Sequence, residues 1–339
     1  MLNIAVWITP QKVSAQEVSV SFQVFYDELS PYGTWVDNSD YGYVWVPNVA
    51  PGFTPYATNG HWVFTDEGWT WYSDYAWGWA PFHYGRWYTD PMYGPMWVPD
   101  NEWGPGWVTW RRSDDYYGWA PMGPGISVSI AYGSGYYVPN NQWTFVRGRD
   151  FGRTNINNYY VNNSNNVTII NNTTVINNTR VDKIHNVTYH GGPDRIEVEK
   201  HAGKKFTPMV IKESSRPGQN VSKGQYQIYR PQVQRNISNG AKPIPSKIEN
   251  IKDVKPAAQR SANTPTQKID RRDKQPPSKS SIPITNERKP LQPQQSNTTK
   301  NTRREKKLQN VDQPNNQRRI ERKREITPQQ NNKDKKHSK

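Results

Sequence analysis

Fourteen of the fifteen tryptophans in this chain lie in one stretch, from Trp35 to Trp143. A large aromatic side chain buries about 150–250 Å² in a folded protein, so a short array of strands this rich in rings can build a core. The chain has no cysteine, which excludes disulfides, thiolate nucleophiles and cysteine metal sites. The tryptophan stretch must therefore hold its fold by packing.

The tryptophan stretch is also a repeat. A glycine precedes a tryptophan by two residues at Gly33, Gly60 and Gly85, and a second run with tryptophan follows each time. Such self-similarity indicates stacked supersecondary units, and short Trp, Tyr, Val and Thr runs between turn residues are typical of β-hairpins. We predict one hairpin per repeat, with each glycine needed for a positive φ or a close strand approach.

Shifts in composition divide the chain into five parts. The predicted fold class is all-β, with repeated antiparallel hairpins rich in Trp and Tyr, followed by an Asn-rich extended segment and a disordered basic tail. The predicted parts are a truncated signal peptide (1–15), a Trp-rich β-repeat domain (16–150), the Asn-rich extended segment (151–200), a weakly structured part (201–232) and the disordered basic tail (233–339).

The first fifteen residues resemble a clipped signal peptide. Residues 1–8 are mostly apolar, and Val13-Ser14-Ala15 is a small-residue cleavage site. No later segment reaches the roughly 18 consecutive apolar residues of a membrane span. We therefore expect a periplasmic or secreted protein without a transmembrane segment. Residues 17–26 then alternate between apolar and polar side chains, which predicts a half-buried strand that pairs with the first repeat.

Asparagine dominates residues 153–190, where aliphatic residues recur at intervals close to six. One interpretation is a narrow β-ladder or solenoid with stacked asparagines. The other is a polar extended linker. The sequence leaves both open and favours the linker.

Charge is distributed unevenly along the chain. Residues 201–339 carry 33 Lys and Arg against 11 Asp and Glu, a net +22, whereas residues 1–200 carry 11 against 18, a net −7. The tail at 233–339 cannot bury enough apolar surface to offset its chain entropy. A basic disordered tail favours anionic polymers. After a signal peptide we expect these to be anionic envelope polymers and no specific nucleic acid; a solvated tether is the alternative.

Enzyme signatures are not found in the sequence. It holds no nucleophile elbow, Walker loop, HExxH pattern or metal-spaced histidine cluster, so we predict no catalytic residue, no metal site and no cofactor. His61 and His83 are predicted to orient within the aromatic stack. The alternative is a carbohydrate-active enzyme with two carboxylates about 5–10 Å apart. Its candidates, most of them at turn positions where Asp caps its own backbone, are Asp66, Glu67, Asp74, Asp90, Asp100, Glu102, Asp114 and Asp115.

Exposed rings are the leading hypothesis for binding. Trp69 with Trp71, and Trp77 with Trp79, are i, i+2 pairs, so each pair points to one side of its strand. A turn at Ser73 between the pairs would join four indoles into a platform for sugar rings. The hypothetical ligand-binding residues are Trp69, Trp71, Trp77, Trp79, Trp87, Arg86 and Arg111. The arginines could stack on rings or bind an anionic group. In the alternative, the same rings fill a core between hairpins.

Four segments resemble the motifs of a bacterial Trp-rich envelope family of unknown function. They are residues 25–36 (FYDELSPYGTWV), 68–87 (GWTWYSDYAWGWAPFHYGRW), 103–111 (WGPGWVTWR) and 118–121 (GWAP). The resemblance covers about residues 22–150 and implies a secreted or periplasmic β module, without an assigned activity. We predict an envelope-associated structural or binding module, not an enzyme, with a glycan or peptidoglycan as its candidate ligand.

Overall fold

The computed structural model of the protein describes residues 19–133, 135–183, 186–235 and 242–260. Strands dominate it and most of them pair antiparallel, so the predicted all-β class is confirmed. The predicted signal peptide and residues 261–339 of the predicted tail lie outside the described residues. None of the helices in the described ranges is long and apolar enough to cross a membrane.

The strands and helices are short and follow one another closely. The strands are β1 (Ser19–Ser21), β2 (Gly33–Asn38), β3 (Gly42–Pro47), β4 (Gly60–Thr65), β5 (Gly68–Ser73), β6 (Tyr84–Asp90), β7 (Gly94–Trp103), β8 (Val108–Arg112), β9 (Tyr116–Pro121), β10 (Thr144–Arg147), β11 (Thr174–Val175), β12 (Thr179–Asp182), β13 (Val187–His190), β14 (Val210–Glu213), β15 (Gln219–Ser222), β16 (Gln225–Ile228) and β17 (Gln232–Gln234). The α-helices are α1 (Gln23–Leu29), α2 (Val128–Ala131), α3 (Asn166–Asn171) and α4 (Arg195–Ala202).

Four hairpins run through the tryptophan stretch, namely β2–β3, β4–β5, β6–β7 and β8–β9. Each hairpin places one tryptophan directly opposite another. The pairs are Trp35 and Trp45, Trp62 and Trp71, Trp87 and Trp97, and Trp110 and Trp119. Aromatic cross-strand pairs contribute about 0.2–1 kcal/mol each. The predicted hairpins are therefore confirmed, and the unit that repeats is a hairpin with an indole pair.

Two of the hairpins join into one sheet through their second strands. Trp45 of β3 pairs with Trp97 of β7, which joins two hairpins into a four-stranded antiparallel sheet of order β2-β3-β7-β6. A second four-stranded sheet has the order β10-β9-β8-β11, and β4–β5 is a two-stranded sheet of its own. The tryptophan rings of all three sheets meet in one aromatic core.

The N-terminal residues differ from the single predicted strand. β1 is only three residues long and pairs parallel with β17, not with the first repeat. Helix α1 follows it and buries Phe25, Tyr26 and Leu29. These positions share one face of a helix. The alternation over 17–26 therefore predicted a strand wrongly beyond Ser21, because the apolar Phe25 interrupts the alternation and forms a buried helical face with Tyr26 and Leu29.

The Asn-rich segment folds onto the hairpins. Strand β11 pairs antiparallel with β8, and β12 pairs with β13. Asn166 is fully buried, and its side-chain amide donates to the backbone carbonyls of Asn140 and Trp143, each at 2.8 Å. The described residues of this segment form neither a free linker nor a solenoid, because asparagine amides and a few aliphatic side chains find partners on the hairpins.

Packing continues beyond the predicted domain boundary at residue 150. The backbone and indole N–H groups of Trp69 donate to the carbonyls of Gly191 and Pro193, both at 3.0 Å. Strands β14, β16 and β15 form a three-stranded sheet, from which Tyr226 enters the core with no exposed surface. The Asn-rich segment thus supplies hydrogen-bond acceptors to the tryptophan hairpins, and the part predicted to be weakly structured supplies core residues.

The described start of the predicted tail is also folded. Residues 242–260 run beside β2, where the amide of Glu249 donates to the carbonyl of Trp35 at 2.9 Å. Val254 is buried against Val36 and its neighbours on the sheet. The prediction of disorder from residue 233 onward is therefore wrong for these residues, because a few aliphatic side chains are buried in a segment whose average composition is polar.

Candidate binding cleft

All fourteen tryptophans of the stretch are buried. The five in the predicted platform have very little exposed surface, namely Trp69 0%, Trp71 0%, Trp77 0%, Trp79 2% and Trp87 2%. Trp69, for example, packs edge-on against Phe151 and Phe206, with ring centroids 4.7 and 5.1 Å away. The exposed platform is therefore wrong for these rings, and they lie in the core instead.

Trp77 and Trp79 also lie outside the predicted strand. β5 ends at Ser73, and residues 76–83 form a series of turns before β6 begins. The Trp77 ring stacks on Tyr75 at 4.4 Å, and the Trp79 ring meets Tyr229 edge-on at 5.1 Å. The two i, i+2 pairs therefore do not share one hairpin.

Arg111 holds the Asn-rich segment in place. Its guanidinium donates from Nε to Oγ1 of Thr173 at 2.8 Å, and from Nη2 to the carbonyls of Thr173 at 2.8 Å and Ile170 at 3.2 Å. It also lies 5.6 Å from the centroid of the Trp143 ring. These partners occupy most of its donors, so the structure gives Arg111 a structural position on β8.

Arg86 has a different environment. The register of β6 shifts between Tyr84 and Arg86, at Gly85 with φ of +65°, and such bulges re-aim side chains. The Arg86 guanidinium lies 3.5 Å from the centroid of the Trp107 ring. It is 7% exposed, and burial lowers its pKa while the carboxylate of Asp100 acts in the opposite direction.

Arg86 lines a surface cleft of about 710 Å³, which we call the tyrosine cleft after Tyr26, Tyr41 and Tyr43 in its wall. The turn between β2 and β3 supplies one side, and β7 supplies the other. Tyr41 is 43% exposed, and the Tyr26 and Tyr43 rings meet edge-on at 5.8 Å. Burial raises the pKa of Tyr26 to about 12, so its hydroxyl is neutral at ordinary pH.

Charged groups of both signs surround these rings. Asp37 and Asp40 line the cleft at the β2–β3 turn, and Asp100 lines it from β7. Asp100 forms an ion pair with Arg235 at 2.9 Å. The cleft thus combines aromatic faces, carboxylate acceptors and guanidinium donors within one concavity, the arrangement that small-molecule sites use for orientation and specificity.

The arginines at two smaller cavities have partners. At a cavity of about 430 Å³ beside Trp103, Arg230 lies over the ring at 4.7 Å and is paired with Glu213 at 3.1 Å and Glu67 at 3.8 Å. At a cavity of about 350 Å³, Arg260 donates to backbone carbonyls such as that of Pro47, at 3.2 Å. Both arginines are thus already engaged by the protein itself.

The candidate carboxylates of the enzyme alternative are spread over several elements. Asp90 accepts from the amides of Met92 and Tyr93 at 2.8 Å each, as predicted for a turn residue. Glu67 accepts from the hydroxyl of Tyr189. Burial raises the pKa of Asp74. Among the eight, Asp100 is in the wall of the tyrosine cleft.

The two histidines lie within the aromatic stack, as predicted. His83 stacks on Trp103 with centroids 5.4 Å apart and 6° between the planes, and its Nδ1 lies 2.9 Å from the carbonyl oxygen of Gly104. His61 lies 5.3 Å from the ring of Tyr72. Across the described ranges, no group of three or more His, Asp or Glu is arranged to hold a metal ion.

Most residues of the tyrosine cleft were not predicted from the sequence. Arg86 was among the candidates, whereas Tyr41, Tyr43 and Arg235 were not. The run Asp37-Asn38-Ser39-Asp40-Tyr41-Gly42-Tyr43 was the available signal, since an exposed turn that holds both tyrosines and carboxylates is a candidate binding loop.

Comparison with known proteins finds a similarity to one family, whose function is unknown. Residues 26–126 match the model of a family of unknown function (DUF6600), which confirms the predicted resemblance to an uncharacterised family. No curated protein and no solved structure matches the chain. The matched range contains the four hairpins, the β2–β3 turn and Arg86, but not Arg235.

Proposed function

We propose that this chain is a non-enzymatic binding module of the bacterial cell envelope, periplasmic or secreted, that binds a glycan such as peptidoglycan in the tyrosine cleft. The single observation that carries this proposal is the composition of the cleft, where the exposed ring of Tyr41 lies in the same concavity as Asp37 and Asp40. The tryptophans stabilise the fold that holds the cleft.

The chemistry of a sugar suits such a surface. The C–H groups on one face of a pyranose pack against an aromatic ring, and its hydroxyls donate to carboxylates at the edge. Tyrosine serves both needs, because its ring is apolar and its hydroxyl is polar. The volume of about 710 Å³ is within the range of about 300–1,000 Å³ that ligand sites occupy, enough for two or three sugar rings.

The location and the tail complete the proposal. A signal-like start at residues 1–15 supports an envelope location. The net +22 of residues 201–339 supports contact with anionic envelope polymers through residues 233–339. Adsorption of the full chain to anionic vesicles or lipopolysaccharide should fall as salt rises, because screening sets in over about 10 Å at 0.1 M. Salt-independent adsorption would contradict the role of the tail.

A glycan and peptidoglycan binding screen on the full chain tests the cleft. We expect a wild-type ligand whose affinity falls at least tenfold in Tyr41→Ala, about 1.4 kcal/mol, with an unchanged melting temperature. Tyr137→Ala is the matched control, because Tyr137 is 71% exposed and is not in the cleft wall. A screen without any binder, or equal losses in the two variants, would contradict the proposal.

The carbohydrate-active enzyme is the competing function, and Asp100 in the cleft wall is the observation in its favour. Incubation with a polysaccharide panel separates the two. A binding module releases no product, either as the wild type or as Asp100→Asn. Product release that is lost in Asp100→Asn would establish the enzyme instead.

A further inference from the structure

The guanidinium of Arg86 is buried but makes few hydrogen bonds. It offers five N–H donors, and in the part of the chain that the structure describes it has one hydrogen bond, from Nη1 to the carbonyl of Gly85 at 2.8 Å. Its Nε is fully buried without a partner. A buried charge normally has hydrogen-bond partners, because leaving one unpaired is costly.

The nearby carboxylate does not compensate this charge fully. Asp100 is the carboxylate with the largest electrostatic effect on Arg86, and Glu102 contributes less. Asp100 is engaged in its 2.9 Å ion pair with Arg235. Among the described residues, no carboxylate lies within 4.0 Å of the Arg86 guanidinium. Asp100 therefore pairs directly with Arg235 and acts on Arg86 only at longer range.

The orientation of Arg86 is fixed before any ligand arrives. Its Cζ lies 3.5 Å from the centroid of the Trp107 ring, and the backbone at Gly85 packs closely on β7, since an added Cβ there would lie 2.1 Å from the carbonyl oxygen of Val98. A guanidinium stacked in this way presents its edge, the geometry that pairs with a carboxylate through two parallel hydrogen bonds.

We infer that the tyrosine cleft selects a glycan that carries a carboxylate, and that this carboxylate binds to Arg86. This inference rests on the proposed function, since it specifies the ligand of the same cleft. A sugar carboxylate has two common sources, a uronic acid ring and a lactyl ether on an amino sugar. Both sources present the same planar carboxylate. The structure therefore favours a sugar carboxylate as the ligand group, and the experiment distinguishes its source.

Matched ligands test the inference on the full chain. Calorimetry compares the N-acetylglucosamine–N-acetylmuramic acid disaccharide, which carries a lactyl carboxylate, with chitobiose, which does not. It also compares a galacturonic acid oligomer with its methyl ester. We expect at least a tenfold preference for the acid in one of the two pairs, since a charge-assisted pair is about twice as strong as a neutral one. The ligand pair that shows this preference identifies the source of the carboxylate.

Two variants assign the preference to Arg86. Arg86→Gln should reduce the acid-to-neutral ratio to about one while chitobiose or the ester still binds, if the glycan pocket is intact. Asp100→Asn should raise the ratio several-fold, because it removes the competing anion. The second variant keeps the test decisive if Arg86→Gln does not fold.

The outcomes separate the inference from the proposed function. Equal binding of acid and neutral ligands by the wild type, or an unchanged ratio in folded Arg86→Gln or in Asp100→Asn, overturns the inference alone and leaves Arg86 as a structural partner of Trp107. Binding of neither ligand of either pair overturns the inference. If the wider glycan screen is empty as well, the proposed function fails with it.

Discussion

The indole of Trp71 packs on the backbone of Gly60, so closely that a Cβ atom at residue 60 would lie 2.6 Å from Cζ2 of the ring. The same relationship recurs between Gly33 and Trp45, where the distance to Nε1 is 2.5 Å. A Cβ atom at Gly85 would lie 2.8 Å from Nε1 of Trp97, and Gly85 also has a positive φ. Each predicted repeat thus places a glycine beneath the tryptophan of its second strand.

Gly60→Ala should therefore destabilise the protein by about 1–3 kcal/mol, the usual cost of overpacking a core. The φ of Gly60 is not in the left-handed region, so the cost comes from the clash with the Trp71 ring and with the carbonyl oxygen of Tyr72, 2.5 Å from the added Cβ. Chemical unfolding measures it. Gly123→Ala is the matched control, since the nearest atom to its added Cβ is 3.9 Å away. Equal stability of the two variants would mean that the repeat glycines are incidental.

Trp71→Ala should lower the free energy of unfolding by about 3–5 kcal/mol, as for other large-to-small substitutions in a core. Trp71 has no exposed surface, and its ring lies 5.1 Å from that of Trp62. Tyr137→Ala, at an exposed ring, should change stability by less than about 0.5 kcal/mol. If Trp71→Ala has wild-type stability and weaker glycan binding, the burial of Trp71 in the core is contradicted and the exposed platform is supported instead.

Stability should fall as the pH drops below about 6.5. Burial lowers the pKa of His61 and His83 to about 4 and that of His190 to about 3. Above pH 6.5 these rings are neutral in the folded and in the unfolded chain, so their protonation does not reduce the free energy of unfolding. Between pH 6.5 and about 4 the unfolded chain binds protons that the folded chain does not, at about 1.4 kcal/mol per pH unit for each ring.

Urea unfolding at pH 7.5, 6.0 and 4.5 measures this loss. His83→Gln should reduce the pH dependence, because one of the three buried imidazoles is then absent. The comparison uses the difference between pH values within each variant, so that a general destabilisation by the substitution does not matter. An identical pH dependence in wild type and His83→Gln would contradict the burial of a neutral ring.

Limited trypsin digestion should leave a fragment that ends near residue 260, not near 150. Residues beyond 150 supply acceptors to Trp69 and place Tyr226 in the core, whereas the composition of 261–339 predicts disorder. A fragment of residues 16–260 should unfold cooperatively, and one of 16–150 should not. A stable, cooperatively unfolding 16–150 fragment would show that the later strands are dispensable.

The hairpins could be predicted from the sequence because their signals are local. A glycine, a tryptophan two residues later and a turn specify strand, register and partner within about 15 residues of chain, the scale on which turn chemistry acts. Trp77 and Trp79 show the limit of this approach. An i, i+2 spacing also fits a series of turns, and Tyr75 and Phe82, which cover Trp77, are recognisable only in three dimensions.

The tyrosine cleft could not be predicted because its residues are distant in sequence. Tyr41, Arg86 and Arg235 meet only after β3, β7 and the later strands have packed. Tertiary packing likewise determines the partners of Arg111. The sequence predicts stacking on a ring or binding of an anionic group, whereas in the structure its guanidinium donates to Thr173. Local patterns determine which residues pair within a hairpin, while the solvent-facing site depends on contacts between hairpins.

Hydrogen–deuterium exchange of the full chain, with and without a saturating glycan from the screen, tests most directly whether the ligand binds in the tyrosine cleft. We predict slower exchange at residues 37–43 and 98–100 on binding, and unchanged exchange at 69–79. The tryptophans of that last range are already buried. Protection confined to residues 69–79, with none at the β2–β3 turn, would contradict the assignment of the site.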